Sequence, residues 1–240
     1  MKNVKGQMIV ISLGGSVINP GKLNVSLIKK FGDILIKLNK KYNTKFGVIT
    51  GGGKLFRNVL TEVKKYSNNK ESFDWLGIHC TRVNAQCVLS YFLSKKTKVY
   101  SEVSLSSKQS SKLLDKYYFI FQGGDKPGYT SDMDAVELAV LKGKNTKMIN
   151  ISNVDGIYTK DPNKFKNAKK IPKMTHKELS ALILNQSKEF KAGQNLIFDQ
   201  IATKLAQKHN IELHFISAKN IKDLEKILQG KAHKGTVVKD

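Results

Sequence analysis

Arginine is nearly missing from this chain of 240 residues: of 42 basic side chains, only Arg57 and Arg82 are arginine. Cysteine is as scarce, with Cys80 and Cys87 seven apart in one helical pattern. At 1.5 Å per residue they stand roughly 10 Å apart along the helix, beyond disulfide reach, and are read as packed thiols. No apolar run reaches the ~18 residues a membrane span needs. Residues 1–5 lead into a strand rather than a signal-like segment, so a cytoplasmic protein without membrane contact is expected. His79, His176, His209, His214 and His233 are scattered without ligand spacing, and no metal site built from side chains is expected. Acid is in deficit too, 19 residues against 42 basic ones, for a formal charge of +23. Such an excess suggests a polyanion as partner. The lysines run from end to end, however, as a general lysine bias would place them, so nucleic acid is not expected as the main partner. Where lysine serves almost everywhere, the two arginines mark places where a planar, always-charged fork matters.

What is present is organised around Gly51-Gly52-Gly53. An apolar run at residues 46–49 reads as a buried strand. After the glycines, Leu55, Phe56, Val59, Leu60 and Val63 repeat with helical spacing. Strand, glycine turn and helix bring backbone N–H groups and a positive helix end to one spot, which suits a phosphate. The loop is neither Gly-x-x-x-x-Gly-Lys-Ser/Thr nor Gly-x-Gly-x-x-Gly, and alone it is equally a tight turn.

The same junction recurs. Residues 7–13 form a strand-length run ending in Gly14-Gly15-Ser16, and Asn24 can cap a helix carrying Leu27, Ile28, Phe31, Leu35 and Leu38. Residues 66–72 read as a polar loop, after which Asp74 opens a long helix to about Leu93. Asp74 is either a carboxylate at a helix start or an acceptor for sugar hydroxyls, and Arg82 farther along could be an ordinary surface residue. Residues 97–100 are a short strand candidate and 101–111 are indeterminate. An aromatic strand at 117–121 enters a third glycine loop, with Thr130, Ser131 and Asp132 at the next helix start. A strand at 146–151 ends in a turn at Asp155-Gly156. A lysine-rich loop covers 163–173. Helices at 175–187 and 196–209, a strand at 211–216, a helix at 220–228 and a strand at 235–238 complete the chain. Alternating strands and helices predict one three-layer α/β domain, with the glycine loops at the carboxyl edge of a parallel sheet.

Five motifs stand in order: Gly14-Gly15-Ser16; Gly51-Gly52-Gly53-Lys54-x-x-Arg57; Gly77-Ile78-x-x-Thr81-Arg82-x-Asn84-Ala85; Gly124-x-x-Pro127-Gly128-x-Thr130-x-Asp132; and Asn153-Val154-Asp155-Gly156-x-Tyr158-x-x-Asp161-Pro162. Together, from Met8 to Val238, they resemble the amino-acid-kinase superfamily, and within it the archaeal-type uridylate kinases. The resemblance implies a three-layer α/β/α sandwich with an open, mainly parallel central sheet. Roughly residues 1–140 would be the phosphate-acceptor half and 141–240 the ATP-binding half. It implies transfer of the γ-phosphate of ATP to UMP, in pyrimidine nucleotide biosynthesis, by a homohexamer with Mg²⁺ carried on ATP. Gly15, Ser16, Gly53 and Arg57 would face the ATP phosphates and the moving phosphoryl group. Ser152, Asn153, Tyr158 and Asp161 would line the adenine and ribose. Gly52 would contact UMP, Asp74 its ribose, and Asp125, Lys126, Pro127, Gly128, Tyr129, Thr130 and Ser131 would wrap its uracil and phosphate. Asp199, after Lys191-Ala192-Gly193, would order cationic groups around the phosphates, so that Arg57, Asp199 and Gly53 carry the catalysis.

Two departures qualify the resemblance. Ser12 stands where most of the superfamily has lysine, which leaves the transition-state cation among Lys54, Lys126, Lys191 and Lys204. Asp125-Lys126 replaces residues that are more often uncharged or histidine-containing. Competing readings are a sister kinase of another phosphorylated acceptor such as isopentenyl phosphate, and a non-catalytic anion- or nucleic-acid-binding protein on the same scaffold.

Overall fold

Strand residues alternate between two apolar layers, as a pleat with both faces covered requires. In β1 (Met8–Leu13) the side chains of Ile9, Ile11 and Leu13 join one core cluster and Val10 the other. The computed structural model describes residues 5–143, 145–189 and 198–240. After β1 come α1 (Gly15–Ile18), α2 (Val25–Tyr42), β2 (Lys45–Thr50), α3 (Gly53–Val63), α4 (Lys70–Leu93), α5 (Ser107–Lys116), β3 (Phe119–Gln122) and α6 (Ser131–Lys142). Then follow β4 (Lys147–Ser152), β5 (Ile157–Tyr158), β6 (Lys170–Ile171), β7 (Lys173–Met174), α7 (His176–Glu189), α8 (Gln200–His209), β8 (Leu213–Ser217), α9 (Asp223–Leu228) and β9 (Thr236–Val238).

The main sheet has seven strands in the order β3-β2-β1-β4-β8-β9-β7. The first five run parallel, and β9 turns back against β8. Helices α2, α4 and α9 pack on one face, α5 to α8 on the other. The expected three-layer α/β sandwich is what the chain forms. On the first face Phe92 of α4 lies 4.9 and 4.7 Å from the rings of Phe119 and Phe121. Truncating such a buried ring to alanine typically costs about 3–5 kcal/mol. Because β2 lies on one side of β1 and β4 on the other, strand order reverses beside β1. Parallel α/β sheets hold ligands in the crevice at such a reversal.

Several boundaries differ from expectation. α4 starts at Lys70, since the Asn69 side chain accepts the Ser72 N–H and caps it there, so Asp74 sits in the second turn rather than at the start. Residues 97–100 give only one bridge, Val99 to Phe119, and no strand. The indeterminate serine run becomes α5, capped by Ser106, whose hydroxyl accepts the Gln109 N–H. In the lysine-rich loop Lys170–Ile171 pairs with Ile157–Tyr158 as a small antiparallel ribbon. Asp199 caps α8 rather than lying on it, and Lys191 with its Ala-Gly neighbours lies outside the described residues. Both cysteines are free thiols on α4, and burial pushes the Cys80 thiol up.

Beneath the β8–β9 pair a hydrogen-bond chain runs from the backbone N–H of Gly235 to Nδ1 of His233. It continues from His233 Nε2 to His214 Nδ1 at 3.0 Å and from His214 Nε2 to Glu212 at 2.9 Å. This chain requires both imidazoles to be neutral. Burial is the main cause that lowers both, with His214 beside it helping to bring His233 to about 4 from 6.5. A pKa lower in the folded chain means the unfolded chain takes the proton first as pH falls. The stabilisation is therefore whole above about pH 6.5 and is lost towards pH 4, by about 1–2 kcal/mol after allowing for solvent screening. Melting temperature measured from pH 7 to 4 is expected to fall less steeply in His233→Gln than in the parent.

Candidate functional site

Gly15 and Gly53, from the loops after β1 and β2, meet backbone against backbone. A Cβ on Gly15 would fall on the Gly51 carbonyl and the Gly53 nitrogen, and one on Gly53 would fall inside the Gly15–Ser16 peptide. Gly53 also holds φ +57°, which side chains disfavour. No other residue fits either position. The expected phosphate loops are thus one surface of adjoining peptides, at the carboxyl end of the strand where the sheet reverses direction. The first-turn N–H groups of α3 have no partner within the helix. Its cap, Gly52, brings no side-chain acceptor, and neither does Gly14 before α1. By contrast Asn24, Asn69, Thr130 and Asp199 cap their helices with their own side chains. A helix end without a side-chain cap suits an anion as its complement.

A second row of contacts comes from α4, where Thr81 and Asn84 carried no role in the sequence although their motif is visible. The Asn84 amide donates to the carbonyls of Gly51 at 2.8 Å and Gly52 at 3.3 Å. The Thr81 hydroxyl accepts the Gly124 N–H at 2.6 Å, and Arg82 donates to the Gly124 carbonyl at 3.2 Å. Arg82 is therefore no ordinary surface residue: it grips the third glycine loop. Arg57 is exposed in α3, one turn beyond Gly53.

The loop of residues 125–131 is tied across to α4, because Asp74 accepts the Gly128 N–H at 2.9 Å. Lys126 lies over the Tyr129 ring at 4.2 Å and half-buried Pro127 stands between them in sequence. Thr130 caps α6 by accepting the Met133 N–H, and the Ser131 hydroxyl points to the neighbourhood of Gly51. Asp74 is exposed, so its removal leaves the core intact. A lost hydrogen bond to a charged acceptor is worth about 1.5–3 kcal/mol. If Asp74 holds the ribose as the resemblance implies, Asp74→Ala is expected to raise KM for the acceptor about 10-fold or more, and loss of its Gly128 bond to lower the melting temperature by a few degrees, by steady-state kinetics and calorimetry.

On the other side of the reversal, the Asn153 amide donates to the Ser16 hydroxyl at 3.3 Å, joining the loops after β1 and β4. Ser152 stays local, bonding Val154. The Tyr158 hydroxyl donates to Asp155 at 2.6 Å, which pushes it up to about 12. Asp161 accepts the Asn163 N–H at 2.9 Å, a turn that carries the chain away from β5. Tyr158 and Asp161 are held by their own neighbours, and no bond joins them to the glycine loops among the described residues.

The most informative departure is Ser12. Its hydroxyl donates to Asp132 at 2.9 Å, and the Asn150 amide donates to the same oxygen at 3.0 Å. Burial, with the charge of Asp199 adding to it, pushes Asp132 up to about 6 against these two donors. Asp199 uses one oxygen to accept the Ala202 N–H at 2.7 Å. The negative charge of Asp199 is thus felt at the Asp132 carboxyl that Ser12 and Asn150 hold. Of the candidate lysines, Lys54 lies along Gly21, Lys126 is held by Tyr129, and Lys204 is exposed on α8. Asp132 carried no role in the sequence reading beyond a helix start, although its place in the fourth motif was the available signal.

Comparison with known proteins agrees with this geometry. The model of the amino acid kinase family matches residues 7–217. The chain is 32% identical over 225 residues to a uridylate kinase of Thermoplasma volcanium, covering 94% of both chains. It is also 32% identical over 230 residues to one of Pyrococcus abyssi, covering 96% of this chain and 98% of that one. Among solved structures, the uridylate kinase of Archaeoglobus fulgidus superposes with a TM-score of 0.80 at 28% identity, over 96% of this chain and 99% of the other.

Proposed function

We propose that this chain, which belongs to the amino acid kinase family, is a nucleoside monophosphate kinase that transfers the γ-phosphate of ATP to UMP, giving UDP and ADP. The observation that carries this reading is the shared peptide surface of Gly15 and Gly53 at the sheet reversal. It suits two phosphate chains brought nose to nose, in a chain that aligns with uridylate kinases over nearly its whole length.

The chemistry asks little of general bases. A phosphate monoester is largely dianionic at pH 7, with a second pKa of about 6, and is already the nucleophile. The barrier lies in bringing two polyanions together and in stabilising the moving phosphoryl group, so positioning and cations do the work. In this assignment Gly15, Ser16 and Gly53 present N–H donors to the ATP phosphates and Arg57 reaches the γ-phosphoryl. Ser152, Asn153, Tyr158 and Asp161 line the nucleoside of ATP. Gly52, Asp74 and residues 125–131 hold UMP, with Thr81, Arg82 and Asn84 positioning the loops beneath. The acids Asp132 and Asp199 are assigned the ordering of cationic groups around the phosphates. Mg²⁺ arriving with ATP would supply positive charge where the two phosphate chains meet.

The reading further assigns residues up to about 140 to the acceptor half and the rest to the ATP half, within one continuous sheet. It also places the enzyme in pyrimidine nucleotide synthesis in the cytoplasm, as a homohexamer. No helix among the described residues is long and apolar enough to cross a membrane. Phosphorus NMR of the protein with Mg-ATP and UMP is expected to show UDP and ADP rising in equal amounts. Release of inorganic phosphate without UDP would overturn the reading.

A further inference from the structure

The chain has only 19 acids against 42 bases, yet three of those acids converge beneath the loop of residues 125–131. Carboxylate oxygens of Asp125, Asp134 and Glu137 all lie within 4.8 Å of one another. Asp134 and Glu137 share one face of α6, three residues apart, and Asp125 comes from the loop. No lysine or arginine forms an ion pair with any of the three among the described residues. The nearest candidate, Lys126, is turned onto the Tyr129 ring instead.

Asp134 makes this more than a patch of surface acid. The residue has no solvent exposure. One of its carboxylate oxygens accepts the Asp125 N–H at 3.2 Å, while the other, Oδ1, is buried without any partner. A buried carboxylate oxygen left bare costs several kcal/mol unless a positive group completes it (roughly 1–3 kcal/mol even for a neutral polar atom). Burial, together with the charges of Asp125 and Glu137, pushes this carboxyl up to about 7.

We propose that Asp125, Asp134 and Glu137 form a binding site for a hard divalent cation that pins the acceptor loop to α6. The donor set is all oxygen, which suits Ca²⁺, Mn²⁺ or Mg²⁺ rather than thiophilic metals. Ca²⁺ accepts irregular oxygen cages, whereas Mg²⁺ demands near-octahedral geometry and dehydrates reluctantly, so three carboxylates gathered from a loop and a helix within 4.8 Å of one another favour the calcium-sized ion. The cation joins Asp125, at the start of the acceptor loop, to a rigid helix. The loop's N–H groups are thereby set before an acceptor arrives. Binding of the ion does not depend on the kinase reading; only the consequence for the acceptor does.

The test is titration calorimetry of the full, nucleotide-free chain with Ca²⁺ and, separately, Mg²⁺, at pH 7.5. One Ca²⁺ per chain is expected, bound at least 10-fold more tightly than Mg²⁺. Asp134→Asn keeps an acceptor for the Asp125 N–H and Glu137→Gln changes a half-exposed side chain. Each is expected to weaken Ca²⁺ at least 10-fold with an unchanged circular dichroism spectrum. No binding by the parent, or binding that both folded variants retain, would overturn the site. In the first case the cluster is closed by a shared proton. Silence in a kinase assay with Ca²⁺ binding intact would instead remove the kinase reading and leave the site standing.

Discussion

Gly53→Ala is expected to abolish turnover, by about 1,000-fold or more, and to lower the melting temperature by several degrees. Two costs combine. Alanine in a left-handed conformation costs about 1–2 kcal/mol, and at φ +57° Gly53 would incur it. The larger cost is that the new methyl group has no room, since it would occupy the Gly15–Ser16 peptide and prise the two loops apart. A displacement of about 1 Å at reacting groups can cost 100-fold in rate by itself. Gly230 separates these effects, because it also has positive φ, +68°, but nothing lies within 4 Å of a Cβ built there. Gly230→Ala is expected to lose about 1–2 kcal/mol of stability, a few degrees in a chain of this size, and to keep its turnover. Steady-state rates and calorimetry on both variants check this. Equal turnover in Gly53→Ala and Gly230→Ala would mean that the contact between loops has no part in the reaction.

Arg57→Ala is expected to cut kcat about 100-fold or more, in the range of a lost transition-state donor, about 2.7–4 kcal/mol. The melting temperature is expected to move by no more than about a degree, because the residue is exposed and ordinary surface substitutions stay within about 0.5 kcal/mol. Arg57→Lys keeps the charge but not the planar fork, so it should recover only part of the rate. A fall in kcat with KM nearly constant would place the interaction in the transition state. A rise in KM alone would make Arg57 a binding residue. An unchanged rate would remove it from the chemistry altogether.

The sequence made the scaffold legible because its signals are periodic. Ile9, Ile11 and Leu13 alternate against Val10, and Phe31, Leu35 and Leu38 mark one face of α2, so strands and helices announced themselves. Local chemistry was harder to place. Asp74 looked like the start of α4 because polar residues precede it, but Asn69 captures the Ser72 N–H and wins the helix start by one turn. The serine run before β3 lacks an apolar stripe long enough to read as a helix. Its hydroxyls instead turn inward, Ser107 to the Asp134 carbonyl and Ser110 to Gln122. The glycine loops were visible as loops, yet their contact depends on strand order, which no local pattern contains. The same holds for Arg82 and Asn84, whose partners lie 42 and 33 residues away. Asp132 meets Ser12 across 120 residues of chain, so the replacement of a lysine by serine could be seen without its consequence.

The most direct measurement is the initial rate of ADP release from Mg-ATP with UMP, CMP, dUMP, AMP and isopentenyl phosphate offered one at a time. Rapid release with UMP, well above every other acceptor, is the expected result. Turnover confined to a different phosphate would keep the phosphoryl-transfer site and contradict the acceptor assigned to Asp74 and residues 125–131. Well-folded protein silent with all five would contradict the kinase itself.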